Sequence, residues 1–90
     1  MLYMVIERFK NQNAKTVYRR FREKGRMAPE GLAYIESWVE INFERCFQLM
    51  ECCDPRLLEE WANNWRDLVE FEFVPVRRSN EAVQIIAPQL

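Results

Sequence analysis

Residues 32–52 read Leu-Ala-Tyr-Ile-Glu-Ser-Trp-Val-Glu-Ile-Asn-Phe-Glu-Arg-Cys-Phe-Gln-Leu-Met-Glu-Cys, and this stretch decides the fold. Leu32–Ile41 and Arg45–Cys52 are both rich in β-branched and aromatic residues, with Asn42-Phe43-Glu44 between them. So short a connection cannot carry a crossover, so the two strands form an antiparallel hairpin. Strict alternation would put Leu32, Tyr34, Glu36, Trp38 and Glu40 on one face of the first strand. Ala33, Ile35, Ser37, Val39 and Ile41 would take the other. In the second strand Phe47 and Leu49 oppose Cys46, Gln48, Met50 and Cys52.

On either side of the hairpin stands one strand and one helix. Leu2–Phe9 is an apolar strand, followed by turn residues Asn11–Asn13 and a helix starting at Ala14 with Asn13 as its cap. Val17, Tyr18 and Phe21 form that helix's apolar stripe, and Gly25 is a natural stop. Beyond the hairpin, Asp54-Pro55 opens a second helix, whose stripe of Leu57, Leu58, Trp61, Ala62, Trp65 and Leu68 predicts helix through Leu68. Val69–Val76 alternates Val69, Phe71 and Phe73 inward with Glu70 and Glu72 outward, and Pro75 places it at a sheet edge.

The order is therefore βαββαβ, an α+β, ferredoxin-like two-layer sandwich with a four-stranded antiparallel sheet. Right-handed crossovers put the first and third strands in the centre and the second and fourth at the edges. Residues 1–78 make the domain. Residues 79–90 are a tail in which Ser79–Ala87 forms a short helix with Val83 and Ile86 packed down.

A four-stranded sheet about seven residues long presents roughly 450 Å² per face. Helices cover one face, yet both faces of strands one to three carry apolar side chains, so the open face predicts a second copy packed on it. With 49% hydrophobic residues in a 90-residue chain, there is more apolar surface than one small core hides.

Composition removes several function classes. No histidine is present, which excludes histidine triads and histidine-ligated zinc or haem. Cys46 and Cys52 would stand roughly 20 Å apart along an extended strand, too far to share an ion. Only Gly25 and Gly31 are available, so no glycine-rich phosphate cradle can form. No metal or cofactor is expected. Three cysteines, an odd number, give no secreted disulfide framework, and the apolar run Leu2–Ile6 is too short for a signal sequence. No stretch spans a membrane, and a reducing cytoplasm is the simple expectation.

Charge is uneven although the net is −1: residues 8–26 hold eight basic residues against Glu23 alone, while residues 28–76 hold eleven acids and three bases. A basic first helix could meet phosphates, but the third strand has one aromatic and no glycine, unlike RNA-recognition strands. The helix charge reads as a solvated face or as complementarity between subunits.

The remaining chemistry is carboxylate-based. Glu36 is the candidate proton-transfer group, Arg45 on the same sheet is a second catalytic candidate, and Tyr34, Trp38 and Gln48 are candidate ligand contacts. Glu7, Glu70 and Glu72 lie on the same sheet, and the plain reading of all of these is rim charge or structural ion pair. The expected partners are a second copy and a small-molecule ligand or another protein.

Almost the whole chain resembles a bacterial family known only as domain of unknown function 3303. The opening Met-Val strand, Pro29-Glu30-Gly31, Ser37-Trp38, Phe47, Leu49-Met50-Glu51 and Asp54-Pro55 carry the likeness. It continues through Trp61, Trp65-Arg66-Asp67-Leu68 and Phe71 to Val76. The resemblance implies a dimeric α/β barrel of ferredoxin-like type and implies no activity. More distant proteins of that fold look like cofactor-free oxygenases, haem-degrading monooxygenases and small isomerases. An enzyme of that kind would here have to rely on Tyr34, Glu36, Trp38, Arg45 or Gln48, and the analogy is one of fold alone.

Overall fold

The computed structural model describes all residues, 1–90. Strands β1 (Leu2–Phe9), β2 (Ala33–Val39), β3 (Arg45–Glu51) and β4 (Val69–Val76) form one antiparallel sheet in the order β2-β3-β1-β4. Helices α1 (Ala14–Lys24) and α2 (Arg56–Ala62) complete the ferredoxin-like βαββαβ pattern, and α3 (Ser79–Ile86) follows β4. The edge positions of β2 and β4 are those expected.

Local chemistry sets the element ends. Asn13 Oδ1 accepts from the Thr16 amide at 3.2 Å, capping α1. Gly25, at φ +69°, closes it with its amide on Phe21 O at 2.8 Å. Asp54 Oδ1 accepts from the Arg56 amide at 3.0 Å and holds the start of α2.

The core lies between sheet and helices. Tyr3, Val5 and Phe9 on β1, Cys46 and Met50 on β3, and Val69 on β4 are buried against Leu58, Trp61 and Trp65. On the opposite sheet face Met4, Ile6, Phe47, Leu49 and Val74 are half-buried, and no element of the chain's own lies over them as α1 and α2 lie over the other face.

Three expectations are corrected. First, β2 does not alternate strictly. A register shift between Tyr34 and Glu36 takes Ile35 out of phase, so Tyr34, Ser37 and Val39 align with Met50, Gln48 and Cys46 on the helix face. Glu36 and Trp38 align with Leu49 and Phe47 on the open face. Such a bulge inserts one residue and inverts the phase beyond it.

Second, α2 ends at Ala62, not Leu68. Asn63-Asn64 breaks the run, since asparagine competes for backbone hydrogen bonds, and the chain continues in tight turns with Trp65 N on Ala62 O at 2.9 Å. Third, α3 forms, but Val83 and Ile86 do not pack down: they are 63% and 47% exposed. The tail helix starts beyond the end of β4, past the reach of the core beneath α1 and α2. The α1 stripe is also less buried than its spacing suggests, because Tyr18 and Phe21 stand at the mouth of a cavity.

Candidate ligand pocket

A cavity of about 200 Å³ opens between α1 and the helix-facing side of β1, β2 and β3. Its walls are mainly aromatic, with Phe9, Tyr18, Phe21, Trp61 and Trp65 among the lining residues. Four polar side chains enter it: Glu7, Ser37, Gln48 and Arg26.

Glu7 is the unusual member. It occupies an inward position of β1, between Val5 and Phe9, and is only 5% exposed. Arg26 Nε donates to Gln48 Oε1 at 3.0 Å, and Gln48 Nε2 donates to Glu7 Oε2. The amide thus links cation and acid without a direct ion pair. Glu7 Oε1 accepts no hydrogen bond from the chain. No sealed polar side-chain atom lacks a partner, so Oε1 keeps accessible surface, and the cavity that Glu7 lines supplies it.

Burial pushes the Glu7 carboxyl up from 4.5 to about 7, with the Gln48 hydrogen bond and the Arg26 charge pulling the other way. Burial in the same wall pushes the Cys46 thiol up to about 12, with the neighbouring Glu7 adding to it. Cys46 therefore stays a thiol at neutral pH and is no nucleophile. The Tyr18 hydroxyl is also raised, first by burial and then by Cys46 and Glu7.

Arg26 is fixed by its backbone as well as its side chain. Trp61 Nε1 and Trp65 Nε1 both donate to its carbonyl oxygen at 3.0 Å. The next residue, Met27, is held at φ +61°, a left-handed conformation that a non-glycine residue keeps only when its surroundings over-determine it. The guanidinium lies 3.7 Å from the centre of the Tyr34 ring and 5.1 Å from that of Phe21. Its two terminal nitrogens have no acceptor in the chain.

The five candidate residues from the sequence divide between places. Gln48 is in the pocket, at its polar centre. Tyr34 borders it through Arg26 and shares a hydrogen bond of 2.7 Å with Ser37 Oγ. Glu36 and Trp38 are on the other side of the sheet, and Trp38 is 48% exposed. Arg45 is at the start of β3, paired with Glu40 at 2.8 and 3.0 Å. Glu36 and Arg45 thus do not meet in the pocket.

Sequence reasoning passed over Glu7 and Arg26 as pocket residues. The signal for Glu7 was present: a carboxylate in phase with Tyr3, Val5 and Phe9 is an acid on a face destined for burial. Nothing local marks Arg26, one of eight bases in a row of charge. Its neighbour in that row, Arg20, is instead tied to Asp67 by two bonds of 2.7 Å.

The geometry defines a class: a ferredoxin-like α+β domain with an aromatic pocket between sheet and helices, and one carboxyl group at its base. The chain belongs to the family described as "Domain of unknown function (DUF3303)", whose model matches residues 1–90. No curated protein and no solved structure matches the chain. No helix is long and apolar enough to cross a membrane.

Proposed function

We propose that this domain is a homodimeric small-molecule binder whose pocket takes one largely apolar, ring-sized compound. The observation that carries the reading is Glu7 Oε1, an unpartnered carboxyl oxygen in an aromatic cavity of about 200 Å³. A cavity of about 150 Å³ holds benzene, so this one suits a single ring with one or two small substituents. The ligand offers a hydrogen-bond donor to Glu7 and an acceptor to the free nitrogens of Arg26, with its ring against the indoles.

Titration against 4-hydroxybenzaldehyde, catechol and cyclohexane-1,3-dione tests this by quenching of tryptophan fluorescence. Saturable quenching by at least one probe is expected, weakened about tenfold or more in Arg26→Met, a loss of at least ~1.4 kcal/mol. No saturation by any probe up to millimolar concentration would overturn the reading.

A second reading, a cofactor-independent enzyme of isomerase or oxygenase type, is favoured by one observation: the Glu7 carboxyl is raised to about 7. A group that titrates near the working pH is suited to give and take protons. In that case Glu7 holds the proton-transfer role, and Glu36, on the far side of the sheet, does not.

The subunit contact in this proposal uses the open sheet face, where Ile6, Trp38, Phe47 and Leu49 gather. Trp38→Glu is expected to shift sedimentation from dimer to monomer at micromolar protein, with circular dichroism unchanged. A wild-type protein that sediments as a monomer would defeat the dimer while leaving the pocket standing. Three free cysteines, two of them buried, fit a reducing, cytoplasmic setting.

A further inference from the structure

Of the bases in the chain, Arg26 alone lines the aromatic cavity. The chain's four ion pairs leave it out, and Gln48 stands between it and Glu7. An unpaired base on the surface is simply solvated. Arg26 is instead half-buried and held along its length. Its carbonyl takes both indole N–H groups, its Nε donates to Gln48, and the Tyr34 ring lies 3.7 Å from the guanidinium. What stays open is the end of the fork, the two terminal nitrogens. A guanidinium fixed in this way is preorganised for a planar anion with two oxygens. Its hydrogen bonds to a carboxylate are roughly twice as strong as those to a neutral acceptor.

Glu7 and Arg26 are the two lining residues with a formal charge, and they stand at opposite ends of one amide side chain. A single ring with a substituent at each end spans a comparable gap. Gln48 Nε2 occupies Glu7 Oε2, so Oε1 is the oxygen that carries the proton when Glu7 is neutral and accepts when it is ionised. A hydroxyl suits both states, because it donates and accepts.

We infer that the pocket's compound is an anion: a single-ring aromatic carboxylate bearing a hydroxyl, with the carboxylate on the two free nitrogens of Arg26 and the hydroxyl on Glu7 Oε1. Binding is then coupled to a proton. An ionised Glu7 would leave two negative charges in the occupied pocket against one positive, so Glu7 takes a proton from solvent and meets the ligand as a neutral acid. Burial already favours that form, with the carboxyl at about 7. Among the groups around it, Cys46 on β3 and Tyr18 on α1 are both raised, away from neutral pH. Tyr34 on β2 lies over Arg26, while Ser37 on β2, Phe71 on β4 and Trp61 on α2 carry no charge.

The inference deepens the pocket reading above and stands only with it, so the test pairs each acid with its neutral isostere. 3- and 4-hydroxybenzoate are titrated against 3- and 4-hydroxybenzamide by tryptophan quenching at pH 6 and pH 8. At pH 6 at least one benzoate is expected to bind about tenfold or more tightly than its amide, a preference lost in Arg26→Met. Between pH 6 and pH 8 that benzoate is expected to weaken about tenfold, as one proton is taken up per complex. Glu7→Gln, with its circular dichroism unchanged, is expected to remove the pH dependence. An amide that binds as tightly as its benzoate at pH 6, a benzoate affinity equal at both pH values, or saturation by catechol without binding of either benzoate overturns the proton-coupled anion and leaves the pocket intact. No saturation by any of these compounds overturns both.

Discussion

Glu7→Gln is expected to make the protein more stable at pH 8 by on the order of 2–3 kcal/mol while changing little at pH 4. The sign follows from the direction of the shift. The folded Glu7 carboxyl sits at about 7 against 4.5 without burial, so between those values the native state holds a proton that the unfolded chain has lost. Stability from this group is then full below about 4.5 and falls as pH rises towards 7. At about 1.4 kcal/mol per unit, the loss amounts to about 3 kcal/mol. The charged or titratable groups that face Glu7 are Arg26 from the loop, Cys46 from β3 and Tyr18 from α1, and the Cys46 thiol and Tyr18 hydroxyl are both raised, away from that interval.

The chain contains no histidine to blur the window. Asp54, Asp67 and Glu40 are lowered by arginine partners, so whatever they contribute disappears only at lower pH. Glutamine keeps the shape and an oxygen that can accept from Gln48. Urea denaturation of both proteins at pH 5, 6, 7 and 8 measures the effect. A wild-type profile flat across that range would mean that Glu7 is not desolvated.

The second large effect is at Trp61, which is 1% exposed and edge-on to Phe71 with ring centres 5.4 Å apart. Trp61→Ala is expected to cost roughly 3–5 kcal/mol, as for other large aromatics truncated to alanine. A domain of this length has only about 5–13 kcal/mol in total. Much of the population should therefore be unfolded near 37 °C. Trp61→Phe keeps most of the ring packing and removes one of the two donors to Arg26 O, which Trp65 still satisfies. Its cost should be about 1 kcal/mol. Equal urea midpoints for the two variants would show that the ring does not anchor the core.

The architecture could be read from the chain because its cues are local and mutually consistent. Gly25 after a helical stripe, Asp54-Pro55 before another, Pro75 in a strand of alternating Phe and Glu: each has one comfortable structural solution. The pocket could be read only in part. The side of the sheet that Gln48 faces is legible because its strand alternates cleanly. Glu36 and Trp38 were placed by the same rule in a strand whose bulge at Ile35 breaks it, and no residue there announces the bulge. Arg26 owes its position to two indoles arriving from about 35 and 39 residues away, a relation that neither composition nor periodicity encodes. The end of α2 shows the converse: the apolar period runs on to Leu68, but Asn63-Asn64 ends the helix at Ala62.

The irregularities of the two outer strands have one more outcome. A free strand edge is a template onto which further chains can add, and proteins that fail to blunt it polymerise. Here Pro75 removes a donor from β4, and the bulge at Ile35 throws the row of hydrogen-bonding groups on β2 out of step. Neither margin therefore presents the regular row of donors and acceptors that an endless ribbon needs to grow.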